Sequence, residues 1–148
     1  MPHGRNNIIS IIDDDADIVC LFFDALSVIR GVRKYKFTDP KLALEHFKYN
    51  GDSYSLIISD NRMPGISGLE LLQTVKKMNP NVRTVLLTAF DIDDVIFKEK
   101  NNHVIVDSFL QKPIRIPEFV QEIKKQLNLS KMNQNVILSV PPSLKSQS

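Results

Sequence analysis

The sequence predicts an open, doubly wound α/β sheet, on three observations. Four short apolar runs rich in β-branched residues show almost no polar alternation, as expected of strands covered on both faces. Amphipathic stretches with helical spacing lie between them. Each run stops at a polar or charged residue, and a parallel sheet collects such stops along one edge. Five strands alternating with five helices fit the 148 residues as one domain, and no internal repeat interrupts them.

Ile8, Ile9, Ile11 and Ile12 form the first run, which ends at Asp13-Asp14-Asp15. The helix after it places Ile18, Phe22, Ala25, Leu26 and Ile29 on one face, with Gly31 as its stop. In Val32–Thr38, Lys34 and Lys36 alternate with Tyr35 and Phe37, a pattern that suits an edge strand protected by lysines. Asp39-Pro40 is a cap followed by proline at the first helical position; Ala43, Leu44 and Phe47 point inward and Asn50-Gly51 closes the helix. The run from Tyr54 to Ser59 stops at Asp60. Ser67-Gly68-Leu69-Glu70 fits a capping box for a third helix with Leu72 and Val75 inside and Asn79-Pro80 after it. Val82 to Leu87 stops at Thr88, and Asp91 and Asp94 are placed to cap a fourth helix containing Val95 and Ile96. The last run, Ser108 to Gln111, stops at Lys112, and Pro117 opens a fifth helix with Phe119, Val120, Ile123 and Leu127 inward.

After Leu129 the composition shifts to Ser, Asn, Gln, Lys and Pro. The expected division is therefore a domain over residues 1–128 and a flexible tail over 129–148. Within the tail, the apolar triplet Val136-Ile137-Leu138 is expected to dock on the body or on a sheet edge. The formal net charge of +2 comes entirely from Lys131 and Lys145, since residues 1–129 carry 17 basic against 17 acidic groups. A neutral body with no basic stripe argues against a nucleic-acid or membrane-surface binder. The single Cys20 excludes an internal disulfide or a cysteine-rich zinc site. No apolar run reaches the length of a membrane span, and Met-Pro-His-Gly-Arg-Asn-Asn is no signal peptide, so the expected compartment is the cytoplasm. His3, His46 and His103 show no metal-ligand spacing and are expected at the solvated surface.

Asp13, Asp14, Asp60, Thr88 and Lys112 all fall at carboxyl ends of predicted strands, where open α/β sheets bind ligands. Three converging carboxylates repel one another unless a cation is present. Mg²⁺, a hard ion that takes oxygen ligands, suits such a set. One carboxylate is then free to act as nucleophile toward phosphorus, with an ammonium and a hydroxyl to receive phosphoryl oxygens.

The segments Ile11-Ile12-Asp13-Asp14-Asp15, Ile58-Ser59-Asp60-Asn61-Arg62-Met63-Pro64-Gly65, Leu87-Thr88-Ala89 and Phe109-Leu110-Gln111-Lys112-Pro113 together resemble the signature of response-regulator receiver domains. The resemblance extends from about Asn7 to Leu127 in the family's order and spacing. It implies the flavodoxin-like strand order 2-1-3-4-5 and a cis Lys112-Pro113 bond. It also implies that Asp60 is the phosphoacceptor, that Asp13, Asp14, Asp60 and the backbone carbonyl of Arg62 bind Mg²⁺, and that Thr88 and Lys112 contact the phosphoryl group. Thr88 and Phe109 would form the switch, and Arg62 and Phe90 would modulate dephosphorylation.

By the same resemblance the donor is a histidine kinase or phosphotransfer protein. An effector protein reads the fourth helix, fifth strand and fifth helix, near Val104, Ile105 and Val106, and a homodimer is open. The chain would be a stand-alone receiver or the receiver of a longer protein, catalysing only its own phosphorylation and dephosphorylation. Two other readings compete. A haloacid-dehalogenase-type phosphatase also uses a strand-end aspartate with Mg²⁺, and Asp13-Asp14-Asp15 contains an Asp-x-Asp, but Met63-Pro64-Gly65 is then unexplained. A pseudo-receiver acting only as a binding module normally lacks a key residue, and none is missing here.

Overall fold

The computed structural model describes residues 7–89 and 106–139, with 133–139 in backbone only. Strands β1 (Ile8–Ile12), β2 (Arg33–Phe37), β3 (Tyr54–Asp60), β4 (Arg83–Thr88) and β5 (Ser108–Gln111) form one parallel sheet in the order β2-β1-β3-β4-β5. This is the doubly wound, flavodoxin-like arrangement expected. Helices α1 (Ala16–Ala25), α2 (Pro40–Asn50), α3 (Gly68–Met78) and α4 (Ile116–Ser139) cover its two faces. Helix α4 is the fifth helix of the sequence reading. The expected fourth, with Asp91, Asp94, Val95 and Ile96, lies outside the described residues, as do Phe90, Val104, Ile105, His3 and His103.

The strands are apolar throughout because both faces are covered. On one side Ile8, Ile12, Tyr54, Ile57 and Leu86 pack with Phe47 of α2 and Leu72 and Val75 of α3. On the other, Ile9, Ile11, Leu56, Ile58 and Val85 pack with Val19 and Phe22 of α1 and Phe119 and Ile123 of α4. Complete burial of side chains this size contributes about 1.5–3 kcal/mol each, so the two layers dominate stability. The lysine-bearing strand β2 lies at the sheet edge as expected, and Lys36 places its ammonium 4.9 Å from the Phe23 ring centroid.

The local signals act where the sequence places them. Asp15 caps α1 by accepting from the amides of Asp17 and Ile18, and Asp39 caps α2 through Lys41 N. Ser67 and Glu70 form the reciprocal capping box of α3. Two ends differ from expectation. Helix α1 stops at Ala25 and relaxes into a 3-10 turn over Leu26–Val28; Gly31, at φ 81°, serves the following turn rather than the helix end.

Helix α4 does not stop near the expected 128/129 boundary but continues to Ser139. No glycine or proline occurs between Leu129 and Ser139, and the polar residues there cost a helix only a few tenths of a kcal/mol each. The buried face of the helix also runs on through Gln126 and Ser130. The side chains of Val136, Ile137 and Leu138 lie outside the described residues.

His46, expected in solvent, is half-buried. Its ring lies 4.4 Å from Tyr35, 5.5 Å from Phe37 and 5.6 Å from Tyr54 between centroids, and Nδ1 is 2.6 Å from the Tyr54 hydroxyl. A single histidine on an amphipathic helix gave no sign that β2 and β3 both present aromatic rings to it. Burial, and secondarily the Arg33 guanidinium, hold its imidazole below the ordinary 6.5. The unfolded chain therefore takes up the proton first as pH falls. This contribution to stability is complete above 6.5 and is lost as pH drops from there through the lower folded value. Thermal melts between about pH 8 and about pH 5 should show a steeper acid loss in the wild type than in His46→Gln; parallel curves would remove His46 from the acid response.

Candidate functional site

The carboxyl end of the sheet carries the polar cluster. β1 runs straight into Asp13, whose amide donates to Phe37 O at 3.1 Å and so holds the strand end against β2. β3 ends on Asp60, and the amide of Asn61 next to it donates to Leu87 O at 2.9 Å, tying that end to β4. β4 ends on Thr88, fully buried, whose carbonyl accepts from Lys112 N at 2.7 Å. The Lys112-Pro113 bond is cis, as the resemblance implied.

Carboxylate oxygens of Asp13, Asp14 and Asp60 lie within 4.8 Å of one another. Asp13 and Asp60 are buried, while Asp14 is exposed at the mouth. Lys112 reaches into the cluster: Nζ is 2.5 Å from Asp60 Oδ1 and 3.7 Å from Asp13 Oδ2. Residues almost a hundred positions apart thus meet at the carboxyl end of one sheet, with Lys112 reaching across from β5 past the end of β4.

The electrostatics explain the arrangement. Burial holds the Asp13 carboxyl above its ordinary value, opposed first by donation from the Asp15 amide to Oδ1 at 2.9 Å. The Asp60 charge adds to the rise, Lys112 counters it, and Asp14 adds a little more. Among the described residues Asp13 Oδ2 receives no hydrogen bond although it is buried. A buried carboxylate oxygen that accepts no hydrogen bond and has only the Lys112 ammonium at 3.7 Å, beside two further carboxylates, is a fitting ligand for a hard dication, and an all-oxygen set selects Mg²⁺-like ions.

The remaining expected residues are placed less centrally. Arg62 is exposed in the loop between β3 and α3. Phe109 sits half-buried on β5, level with Leu86 of β4, and packs against the α2/α3-side core. Phe90 lies outside the described residues.

One residue was missed as part of the site. A Cβ on Gly68 would stand 2.0 Å from Asp60 O and 2.9 Å from the Asn61 Cα. Gly68 N also donates to Asn61 O at 2.9 Å, and the Asn61 side chain accepts from Leu69 N at 3.2 Å. The start of α3 is thus pressed against the backbone that carries Asp60. The only trace in the sequence is a glycine inside the capping box, where any good helix former would otherwise serve.

Comparison with known proteins agrees with this geometry. The family model of the response regulator receiver domain matches residues 9–124. The sporulation initiation phosphotransferase F of Bacillus subtilis is 27% identical over 124 residues, 84% of this chain and 96% of that protein. The CpxR homolog of Haemophilus influenzae, a transcriptional regulatory protein, is 30% identical over 132 residues, 88% of this chain but only 54% of its own length. The chain therefore spans about half of that relative. A crystal structure of a response regulator receiver domain protein from Clostridium thermocellum superposes with a TM-score of 0.74 at 26% identity, covering 85% of this chain and 98% of that one. With the parallel sheet, its acidic edge and Lys112 already in place, these matches establish that the chain belongs to the response regulator receiver domain family.

Proposed function

We propose that this receiver domain accepts a phosphoryl group on Asp60 from the phosphohistidine of a histidine kinase or phosphotransfer protein, and passes the change to an effector protein in the cytoplasm. The observation that carries the reading is the Lys112 ammonium, 2.5 Å from Asp60 and 3.7 Å from Asp13, at the head of a three-carboxylate cluster. An Asp60 carboxylate oxygen attacks phosphorus as the P–N bond of the donor breaks, and the electron pair leaves with the imidazole, which takes up a proton. Lys112 then exchanges its carboxylate partner for a phosphoryl oxygen, so its charge is in place before the reaction begins. Mg²⁺ held by Asp13, Asp14, Asp60 and the Arg62 carbonyl would supply the positive charge that offsets the charge on the transferred group.

Thr88, buried at the end of β4, offers the hydroxyl for a second phosphoryl oxygen. Phe109 on the neighbouring strand takes up space as Thr88 moves, biasing an existing equilibrium toward the signalling surface of β5 and α4. Arg62, exposed at the loop mouth, and Phe90 are assigned the control of hydrolysis. The phosphatase reading loses support because Asp15, the second acid of its Asp-x-Asp, is engaged as the α1 cap. Among the described residues no helix is long and apolar enough to cross a membrane.

Incubation with a small acyl phosphate and Mg²⁺, followed by intact mass, tests the proposal. The wild type should gain one phosphoryl group and Asp60→Asn none; equal gain by both would overturn it.

A further inference from the structure

The pairing of β3 with β1 contains an offset that bears directly on the acidic cluster. Ile8 pairs with Tyr54, but Ile9 pairs with Leu56, so Ser55 is an extra residue with no partner on β1. The two core layers record the same slip. Tyr54 belongs with Ile57 to the layer under α2 and α3, whereas Leu56 and Ile58 belong to the layer under α1 and α4. Uninterrupted alternation would have put Tyr54 with Leu56 and Ile58.

The consequence appears at the other end of the strand. With the extra residue, Ile12 pairs with Ser59, and extending that register by one position sets Asp13, just past the end of β1, level with Asp60. Without it the initial register would run on, Asp13 would stand level with Ser59, and Asp60 would overshoot by one residue, about 3.3 Å. A one-residue slip also turns every side chain to the opposite face.

We propose that Tyr54, Ser10 and His46 form a register lock that retains the extra residue at Ser55 and thereby aligns Asp60 with Asp13. The Tyr54 hydroxyl is bonded to Ser10 Oγ, on the far side of the offset, and to His46 Nδ1 at 2.6 Å on α2. Its ring packs 5.1 Å from Phe47 and 5.6 Å from His46 between centroids, with no exposed surface. Squeezing out the extra residue while β3 stays paired would turn this ring toward the α1 side, away from both hydroxyl partners. Burial pushes the Tyr54 phenol up to about 12, against the pull of the Ser10 hydrogen bond, so the hydroxyl keeps its proton throughout the working range. It can therefore donate to one partner while accepting from the other. Tyr54 and Ser10 are positioning residues: they touch neither the carboxylates nor Lys112 and act through the register of the strands.

The inference rests on the reading of Asp13 and Asp60 as partners at one cation site, so the experiment separates the two. Mg²⁺ titration of the wild-type chain by calorimetry tests that reading alone. The lock is tested by NMR on the full chain, through β1–β3 cross-strand contacts and amide exchange, in Tyr54→Phe, Ser10→Ala, the double variant, and Phe47→Leu as a core variant lacking any role in the hydroxyl link. Tyr54→Phe and Ser10→Ala should each give a second set of contacts joining Ile12 to Ile58 and roughly tenfold faster exchange over Leu56–Asp60, with no further change in the double variant. Phe47→Leu should speed exchange with a single register. A single wild-type register in Tyr54→Phe, with exchange no faster than in Phe47→Leu, would overturn the lock whatever the Mg²⁺ titration shows.

Discussion

Gly68→Ala is expected to lower the melting temperature by about 10 °C and to impair phosphoryl uptake at Asp60, although glycine-to-alanine changes in helices ordinarily stabilise. The added methyl would stand 2.0 Å from Asp60 O, a backbone atom that cannot rotate away. Relief requires either the start of α3 to withdraw or the Asp60–Asn61 backbone to move. Withdrawal breaks the bonds from Gly68 N and Leu69 N to Asn61 and disturbs the capping box. Movement of the strand end shifts the carboxylate that Lys112 holds. Overpacking against backbone in a closed site costs about 3 kcal/mol, and here both routes of relaxation pass through the acidic cluster. Calorimetric melts and the intact-mass assay check the two halves. A variant melting within about 2 °C of wild type would show that the approach of α3 to β3 is looser than described.

Lys112→Met should reduce phosphoryl uptake from a small donor by roughly 100-fold while leaving Mg²⁺ binding intact or tighter. The two effects oppose because the ammonium plays two roles. On the proposed function it would serve the phosphoryl group as a preplaced donor, and its loss would remove charge stabilisation that water does not replace in a partly enclosed site. Toward Asp60 and Asp13, at 2.5 and 3.7 Å, it is the competitor of any other cation. Without it the two buried carboxylates face each other with no ammonium beside them, which favours the binding of a dication. The magnesium-free variant should therefore be less stable than wild type and should regain more of its melting temperature when Mg²⁺ is added. Equal uptake by variant and wild type, or weaker Mg²⁺ binding in the variant, would contradict the assigned position of this side chain.

Much of this protein was open to reading because its signals are local. Consecutive isoleucines in β1, the apolar runs of β3 and β4, the Asp15, Asp39 and Ser67 caps and the lysines of the edge strand each act within a few residues, and each is found where expected. The carboxylate cluster was readable too, because a parallel sheet must gather its strand ends on one side. The end of the last helix was not legible for the converse reason: composition alone does not end a helix, and no breaker stands between Leu129 and Ser139.

By itself, then, the order of residues determined the strands, the caps, the edge and the set of groups that meet at the carboxyl end of the sheet. Tertiary structure alone decided how they meet: the enclosure of His46 by three rings, the approach of Gly68 to the Asp60 backbone, and the extra residue at Ser55 that shifts the register of β3 against β1. The physical reason is one of range. Propensity, periodicity and capping are set by neighbours in the chain, whereas register, close approach and burial depend on groups that only folding brings into contact.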